Sequence, residues 1–248
     1  MTAADRSPAL AWHTAAAAAA YRGRDMRLAE SLIFPAVLDS LGYPPGPDAV
    51  VLDIGCGTGV LAAHIAVTRG WTVSAFDISP HMLDIARVDN AHPRVEHRLF
   101  DGNSLSEIAD STIDAAVCCL VYCCDPEDRR LATLTSEIHR VLRPGGPYIL
   151  ADLNPGATGE QFSTLLYGEP GATYADGDSA PVALRRLDGS VATLTCHYRS
   201  LATYISFFTG AGFPAPDVAL PAAAPSGSAD PVIAPYMVLT ARRAPSPS

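Results

Sequence analysis

The chain is short of positive charge. Its 248 residues carry 17 Lys and Arg against 26 Asp and Glu, a formal net charge of −9, and no basic cluster is longer than a pair. Nucleic acids and anionic membrane surfaces attract a concentrated cationic face, so neither is expected as a partner. No apolar run approaches the roughly 20 residues that cross a bilayer. The apolar stretch Ala15 to Ala20 has neither the basic leader nor the apolar core of a secretory signal, and a cytoplasmic location is expected. No internal repeat is evident. Charged residues make up 17% and hydrophobic ones 48%, which excludes a disordered chain and suits one substantial α/β domain with a small cap.

The cysteines do not have the spacing of a metal site. They are Cys56, Cys118, Cys119, Cys123, Cys124 and Cys196, and four of them fall in one apolar run. Neighbours on a strand point to opposite faces, so neither Cys–Cys pair should converge on one ion. Buried reduced thiols are expected, and no metal.

What the chain does have is Val50-Val51-Leu52-Asp53-Ile54-Gly55-Cys56-Gly57-Thr58-Gly59, followed by the helical pattern Val60 to Ala66. Strand, glycine turn and helix in this order open a nucleotide-binding α/β unit. The absent Cβ atoms let the backbone turn sharply and a ligand press against it, and the helix start offers free N–H groups. Dinucleotide enzymes need G-x-G-x-x-G, whose last glycine packs helix on strand. Here Val60 stands in that place, which disfavours an NAD-dependent dehydrogenase.

Strand and helix then alternate. Strands are predicted at Thr72–Asp77, Val95–Phe100, Ile113–Leu120 and Gly146–Leu153, and helices at Pro80–Asn90 and Glu127–Leu142. Ser79 suits an N-cap and Pro80 the first helical position. Ahead of the first strand, residues 12–41 read as helical, with Pro35 breaking or starting a helix. Pro147 is expected to delay pairing of the fifth strand. After Leu153 the rhythm stops: residues 154–179 are rich in Gly, Pro, Thr and Asp, with no element assigned, and 181–198 read as a hairpin about Asp188-Gly189-Ser190. A helix from Ser200 to Gly210, a strand near Val218–Leu220 and a last strand at Tyr236–Ala241 complete the chain. The expected fold is α/β: a doubly wound, mainly parallel seven-stranded sheet with N-terminal helices and a small cap after the fifth strand. The expected division is a helical cover over 1–46, a cofactor-binding core over 47–153, a substrate lid over 154–199 and the rest of the sheet over 200–248.

Val50–Gly59 resembles the first motif of the class I S-adenosylmethionine (SAM)-dependent methyltransferases. The likeness extends by motif over residues 50–152 and is closest to the small-molecule, natural-product branch. It implies a Rossmann-like fold, SAM as cofactor and S-adenosylhomocysteine as product. Asp77, which lies 22 residues after Gly55, is similar to the acid that accepts both ribose hydroxyls. Phe100-Asp101-Gly102-Asn103 looks like the adenine-binding segment. Asp114 to Tyr122 resembles the fourth motif, whose strand end near Cys119 and Leu120 contacts the methionine part. Arg140 to Gly146 matches the family's helix-to-strand turn. The resemblance thus implies a cofactor site of Tyr21, Asp53, Gly55, Cys56, Gly57, Gly59, Asp77, Ile78, Met82, Asp101, Gly102, Asn103, Cys119 and Leu120. Tyr21 either meets the cofactor, by cation–π attraction or a hydroxyl bond to its carboxylate, or packs on the sheet.

SAM carries an already activated methyl group, so the protein need only align the reactants and exclude water. The acceptor is expected to be a small molecule of the secondary-metabolite type, with O, N or C as nucleophile, and the working unit a monomer or homodimer. His197 and His13 are the candidate bases, with Asp152 a rival; alternation lets only one of His197 and Tyr198 face the pocket. Another reaction of a SAM-binding fold, such as SAM cyclisation, and a non-catalytic SAM-binding protein are the alternatives.

Overall fold

The computed structural model describes residues 14–42, 46, 48–222 and 230–245. In chain order the strands are β1 (Val50–Ile54), β2 (Thr72–Asp77), β3 (Val95–Leu99), β4 (Ala115–Cys119), β5 (Pro147–Leu153), β6 (Leu165–Tyr167), β7 (Ser179–Arg185), β8 (Val191–His197), β9 (Asp217–Ala219) and β10 (Tyr236–Arg242). The described α-helices are α1 (Ala15–Arg22), α2 (Arg27–Leu41), α3 (Val60–Arg69), α4 (Pro80–Asp89), α5 (Asp128–Val141) and α6 (Leu201–Gly210). Seven strands form one sheet in the order β3-β2-β1-β4-β5-β10-β9. Pairing is parallel from β3 through β5, and β10 runs antiparallel to both its neighbours.

The chain leaves β1 in one direction to build β2 and β3, then returns to place β4 on the other side. A crevice therefore opens at the carboxyl ends of β1 and β4. Ile54 pairs with Phe76 on one side and Cys118 on the other. The residues that follow, Gly55, Asp77 and Cys119, thus emerge at one edge of the sheet. The strands can run through the centre because both faces are apolar: every residue of β5 is buried. Helices α2 and α3 pack on one face, and α5 and α6 on the other.

Three expectations need correction. Pro35 lies inside α2 rather than at its end. An interior proline costs about 3 kcal/mol. The burial of Leu28, Ile33, Phe34, Val37 and Leu41 around it outweighs that, at about 1.5–3 kcal/mol for each side chain. Residues 154–179 are not without an element, since β6 forms there and pairs with β7; three residues are too few for a periodicity to register. Cys123 and Cys124 lie not on a strand but in a 3-10 turn, Tyr122–Cys124, so alternation does not govern them. The effect expected of Pro147 is present: pairing with β4 begins at Tyr148, and Pro147 aligns only with Arg242.

Strands β6, β7 and β8 form a separate antiparallel sheet. The segment after α1 is stitched to it. Asp25 N–H donates to Arg185 O at 2.8 Å and Leu187 N–H to Gly23 O at 2.9 Å. Arg199 ties the far end of this sheet to the core. It is 1% exposed; its Nε donates to Asp128 Oδ1 at 2.7 Å, Nη1 to Tyr122 O at 2.6 Å and Nη2 to Asp125 O at 2.6 Å. Asp176 accepts from the Ser200 and Thr203 hydroxyls at the start of α6. Replacing Arg199 by Ala strands two carbonyls and should cost about 2–4 kcal/mol in urea unfolding. Arg199→Lys should recover under half, because an ammonium lacks the fork that reaches all three acceptors. A loss below about 1 kcal/mol in the Ala variant would contradict this anchoring role.

Candidate active site

The glycine turn is built for close approach. Gly55, Gly57 and Gly59 have φ of +69°, +54° and +79°, a region that side-chain-bearing residues avoid. A Cβ on Gly55 would sit 2.2 Å from Val121 Cγ2, and one on Gly59 would sit 2.9 Å from His97 Nε2. The turn is held from the neighbouring strand. Asp77 Oδ2 accepts from Gly57 N–H at 2.8 Å, and its Oδ1 from Ser79 N–H at 2.9 Å. Phe76 O accepts from Gly55 and Cys56 N–H at 2.7 and 2.9 Å.

Asp53 stands one strand away and 1% exposed, with Oδ2 lacking a hydrogen-bond partner among the described residues. Burial, reinforced by the charge of Asp77, pushes its carboxyl up to about 7. Facing the same space is Arg24, which is half-buried and has no carboxylate partner among the described residues. Burial brings its guanidinium down to about 9. Its Cζ lies 3.2 Å from the centre of the Tyr21 ring, a cation–π contact.

Three connected clefts open here. The first holds about 810 Å³ of empty space and is lined by Gly55, Gly57, Asp77, Ile78, Phe100 and Gly102 on one side and by Cys119, Leu131 and Leu134 on the other. The second, about 540 Å³, runs under the stitched cap, between Arg24, Cys123, Cys196 and Tyr236. The third reaches from Tyr21 and Arg24 down to Asp53, Cys56 and Thr58. Tyr21 and Leu120 line all three. Leu120, at the end of β4, holds a φ of +56°, a strained conformation for a leucine at the point where the clefts meet.

Of the residues expected at the site, Tyr21, Asp53, Gly55, Cys56, Gly57, Asp77, Ile78, Met82, Gly102, Cys119 and Leu120 line one cleft or another. Gly59 does not; it is the cap residue that lets α3 start close to α4. Asp101 and Asn103 do not line a cleft either. The Asp101 side chain is exposed and accepts from the N–H groups of Asn103 and Ser104 at 3.0 and 2.8 Å, so it shapes the loop that presents Gly102. His13 lies outside the described residues.

His197 departs from the expectation that it faces the pocket. It is 4% exposed and lines none of the three clefts, and neither of its ring nitrogens has a partner among the described residues. Burial and the nearby Arg199 make the ring harder to protonate. Alternation along β8 instead turns Cys196 into the second cleft. Asp152 is fully buried, its carboxylate accepting from Cys123 and Leu153 N–H at 3.0 and 2.7 Å. Sequence reasoning missed Arg24, because nothing in its neighbourhood marks an arginine that faces inward. It also missed Leu131 and Leu134, whose i, i+3 spacing on α5 was a usable signal.

A parallel sheet with a glycine turn and strand-end acids bordering one cleft defines a nucleotide-binding enzyme of the Rossmann-like class. Residues 51–146 match the family described as "Methyltransferase domain". Over 211 residues the chain is 31% identical to the N-demethylindolmycin N-methyltransferase of Streptomyces griseus, covering 82% of this chain and 86% of the relative. The CcbJ methyltransferase of Streptomyces caelestis shares the fold with a TM-score of 0.58 at 21% identity, covering 90% of this chain and 92% of that one. The geranyl diphosphate C-methyltransferase of Streptomyces coelicolor A3(2), solved with S-adenosylhomocysteine, gives 0.58 at 16%, covering 88% and 80%. The chain belongs to the SAM-dependent methyltransferases, and its cofactor is SAM.

The residues present fit that cofactor: a cradle that a Cβ would fill and, among the described residues, a buried carboxylate oxygen without a hydrogen-bond partner and an arginine without a carboxylate partner. Asp77→Ala should weaken S-adenosylhomocysteine binding by about 1–3 kcal/mol in calorimetry, through loss of charge-assisted bonds and slackening of the Gly57 turn. Unchanged affinity would remove Asp77 from the site.

Proposed function

We propose that the first and third clefts hold SAM and that the second takes a small acceptor whose nucleophile is an amine nitrogen. The observation that carries this is the meeting of all three clefts at Tyr21 and Leu120. Asp77 would take the ribose hydroxyls. The loop at Phe100 and Gly102, with Leu131 and Leu134, would enclose the adenine. Asp53, uncompensated and buried, suits the α-ammonium of the methionine part, and Arg24 suits its carboxylate. SAM supplies the activated methyl group when bound.

The chain's own task is then to bind, orient and exclude water. The second cleft supports an amine acceptor because the groups lining it are poor bases. Of its two tyrosines, Tyr236 is buried and held well above the usual phenol range. Asp25 is committed to Arg27, whose guanidinium holds its carboxyl below the usual range. A neutral amine needs no strong base, and burial favours the neutral form. The relative that methylates N-demethylindolmycin is named for transfer to nitrogen, which supports the same choice. Residues 154–199 would act as the lid over the acceptor and 1–46 as a cover. A cytoplasmic setting and a monomer or homodimer belong to the same proposal. Among the described residues no helix is long and apolar enough to cross a membrane.

Incubating the protein with methyl-labelled SAM and a metabolite extract tests this proposal. The label should appear on nitrogen in one small molecule. Label on oxygen or carbon alone would overturn the amine assignment, and label only in precipitated nucleic acid or protein would overturn the small acceptor. His197→Ala should lower kcat by less than about tenfold; a loss of 10²–10⁴ would make it the base after all.

A further inference from the structure

Three thiols converge under the cap. Cys123, Cys124 and Cys196 bring their Sγ atoms within 4.8 Å of one another, the one such group of metal-ligating side chains among the described residues. All three line the second cleft. The expectation that neighbouring cysteines diverge fails because Cys123 and Cys124 sit on a 3-10 turn, where successive side chains are about 120° apart rather than opposed. Cys196 reaches the pair from β8, one position before the strand's last residue.

The group is held rigidly. Cys123 N–H donates to buried Asp152 at 3.0 Å, and Cys124 N–H to Val121 O at 2.9 Å. Arg199, three residues after Cys196, clamps the carbonyls of Tyr122 and Asp125 on either side of the pair. The same arginine therefore fixes the turn that carries two thiols and the strand end that carries the third. The Sγ atoms of Cys123 and Cys124 are 3.8 Å apart. A tetrahedral ion with Zn–S bonds of about 2.3 Å sets its sulfurs about 3.8 Å apart. A zinc ion with three thiolates carries one net negative charge, and Arg24 lines the same cleft, a cation placed to offset it.

We propose that Cys123, Cys124 and Cys196 form a site for one Zn²⁺ ion whose fourth coordination position opens into the second cleft. Binding forms three Zn–S bonds and releases the proton of each thiol to solvent, with no change of oxidation state. Three protein ligands and one open position are the pattern of a site that receives a further donor rather than a closed structural one. The site goes beyond methyl transfer and does not depend on which acceptor atom is methylated.

The test is a metal titration of the reduced, metal-stripped chain in the absence of SAM. Zn²⁺ is competed against a chromophoric chelator, and Co²⁺ is added in parallel to report thiolate-to-metal charge transfer. One equivalent should bind with an affinity on the order of nanomolar or tighter, with an intense near-ultraviolet cobalt band. Cys196→Ser should weaken Zn²⁺ binding by at least about a hundredfold and remove the band, while binding of S-adenosylhomocysteine, which also reports folding, persists. Cys118→Ser, whose thiol is buried on the other face of the sheet, should leave the metal affinity unchanged. Should Cys196→Ser fail to bind S-adenosylhomocysteine, the wild-type titration decides alone. Less than half an equivalent bound, an affinity weaker than micromolar, no charge-transfer band, or tight binding that survives Cys196→Ser would overturn the site.

Discussion

Two carboxylates are buried side by side at the ends of adjacent strands, and most of the site follows from how differently they are satisfied. Asp77 is anchored by the protein: each oxygen accepts one backbone N–H, from the glycine turn and from the start of α4, and a carboxylate oxygen has a second lone pair for a ligand. Asp53 has an oxygen with no partner among the described residues. Like charges this close cannot both be ionised cheaply in a dry interior, so the unsatisfied one keeps its proton to about neutrality. A cation placed beside Asp53 would favour its ionised form.

The surrounding elements answer to that pair. Parallel pairing of β1 with β2 and β4 brings Asp53, Asp77 and Cys119 to one edge. Val121 packs against Gly55 so closely that no side chain fits between them. The strained Leu120 directs the chain away at the point where the clefts join. Above it, the loop after α1 pairs with the cap hairpin and carries Arg24 inward, beside Tyr21 in the last turn of α1. The first cleft is thus built from the sheet, while the second is built from an insertion and an N-terminal segment.

That difference explains what could be read in advance. The central sheet was legible because its signals are local: apolar strands, glycines at fixed spacing, an acid at each strand end, and the Ser79-Pro80 helix start. Asp53, Asp77 and the glycine turn were legible for the same reason. The second cleft was not. Arg24 becomes a site residue only through pairing with a hairpin some 160 residues away. His197 and Cys196 exchange places because register with β7, and not residue chemistry, decides which of them faces inward. Cys118 and Cys119 on β4 do face opposite sides of the sheet, whereas Cys123 and Cys124 converge because strand alternation does not govern a 3-10 turn. Pro35 shows the opposite failure, a strong local signal overruled by burial on both sides of it.

The uncompensated charge at Asp53 can be measured directly. S-adenosylhomocysteine binding should be followed by calorimetry across pH 5 to 9 (roughly two pH units on either side of the carboxyl's value) in buffers of different protonation enthalpy. An ammonium arriving beside Asp53 favours its ionised form, so binding below about pH 7 should release close to one proton per chain and weaken as pH falls. The release should vanish well above that pH, and should be absent at every pH in Asp53→Asn. Binding at pH 6 without proton release, or release that persists in the Asn variant, would contradict the placement of the cofactor's cation at this carboxylate.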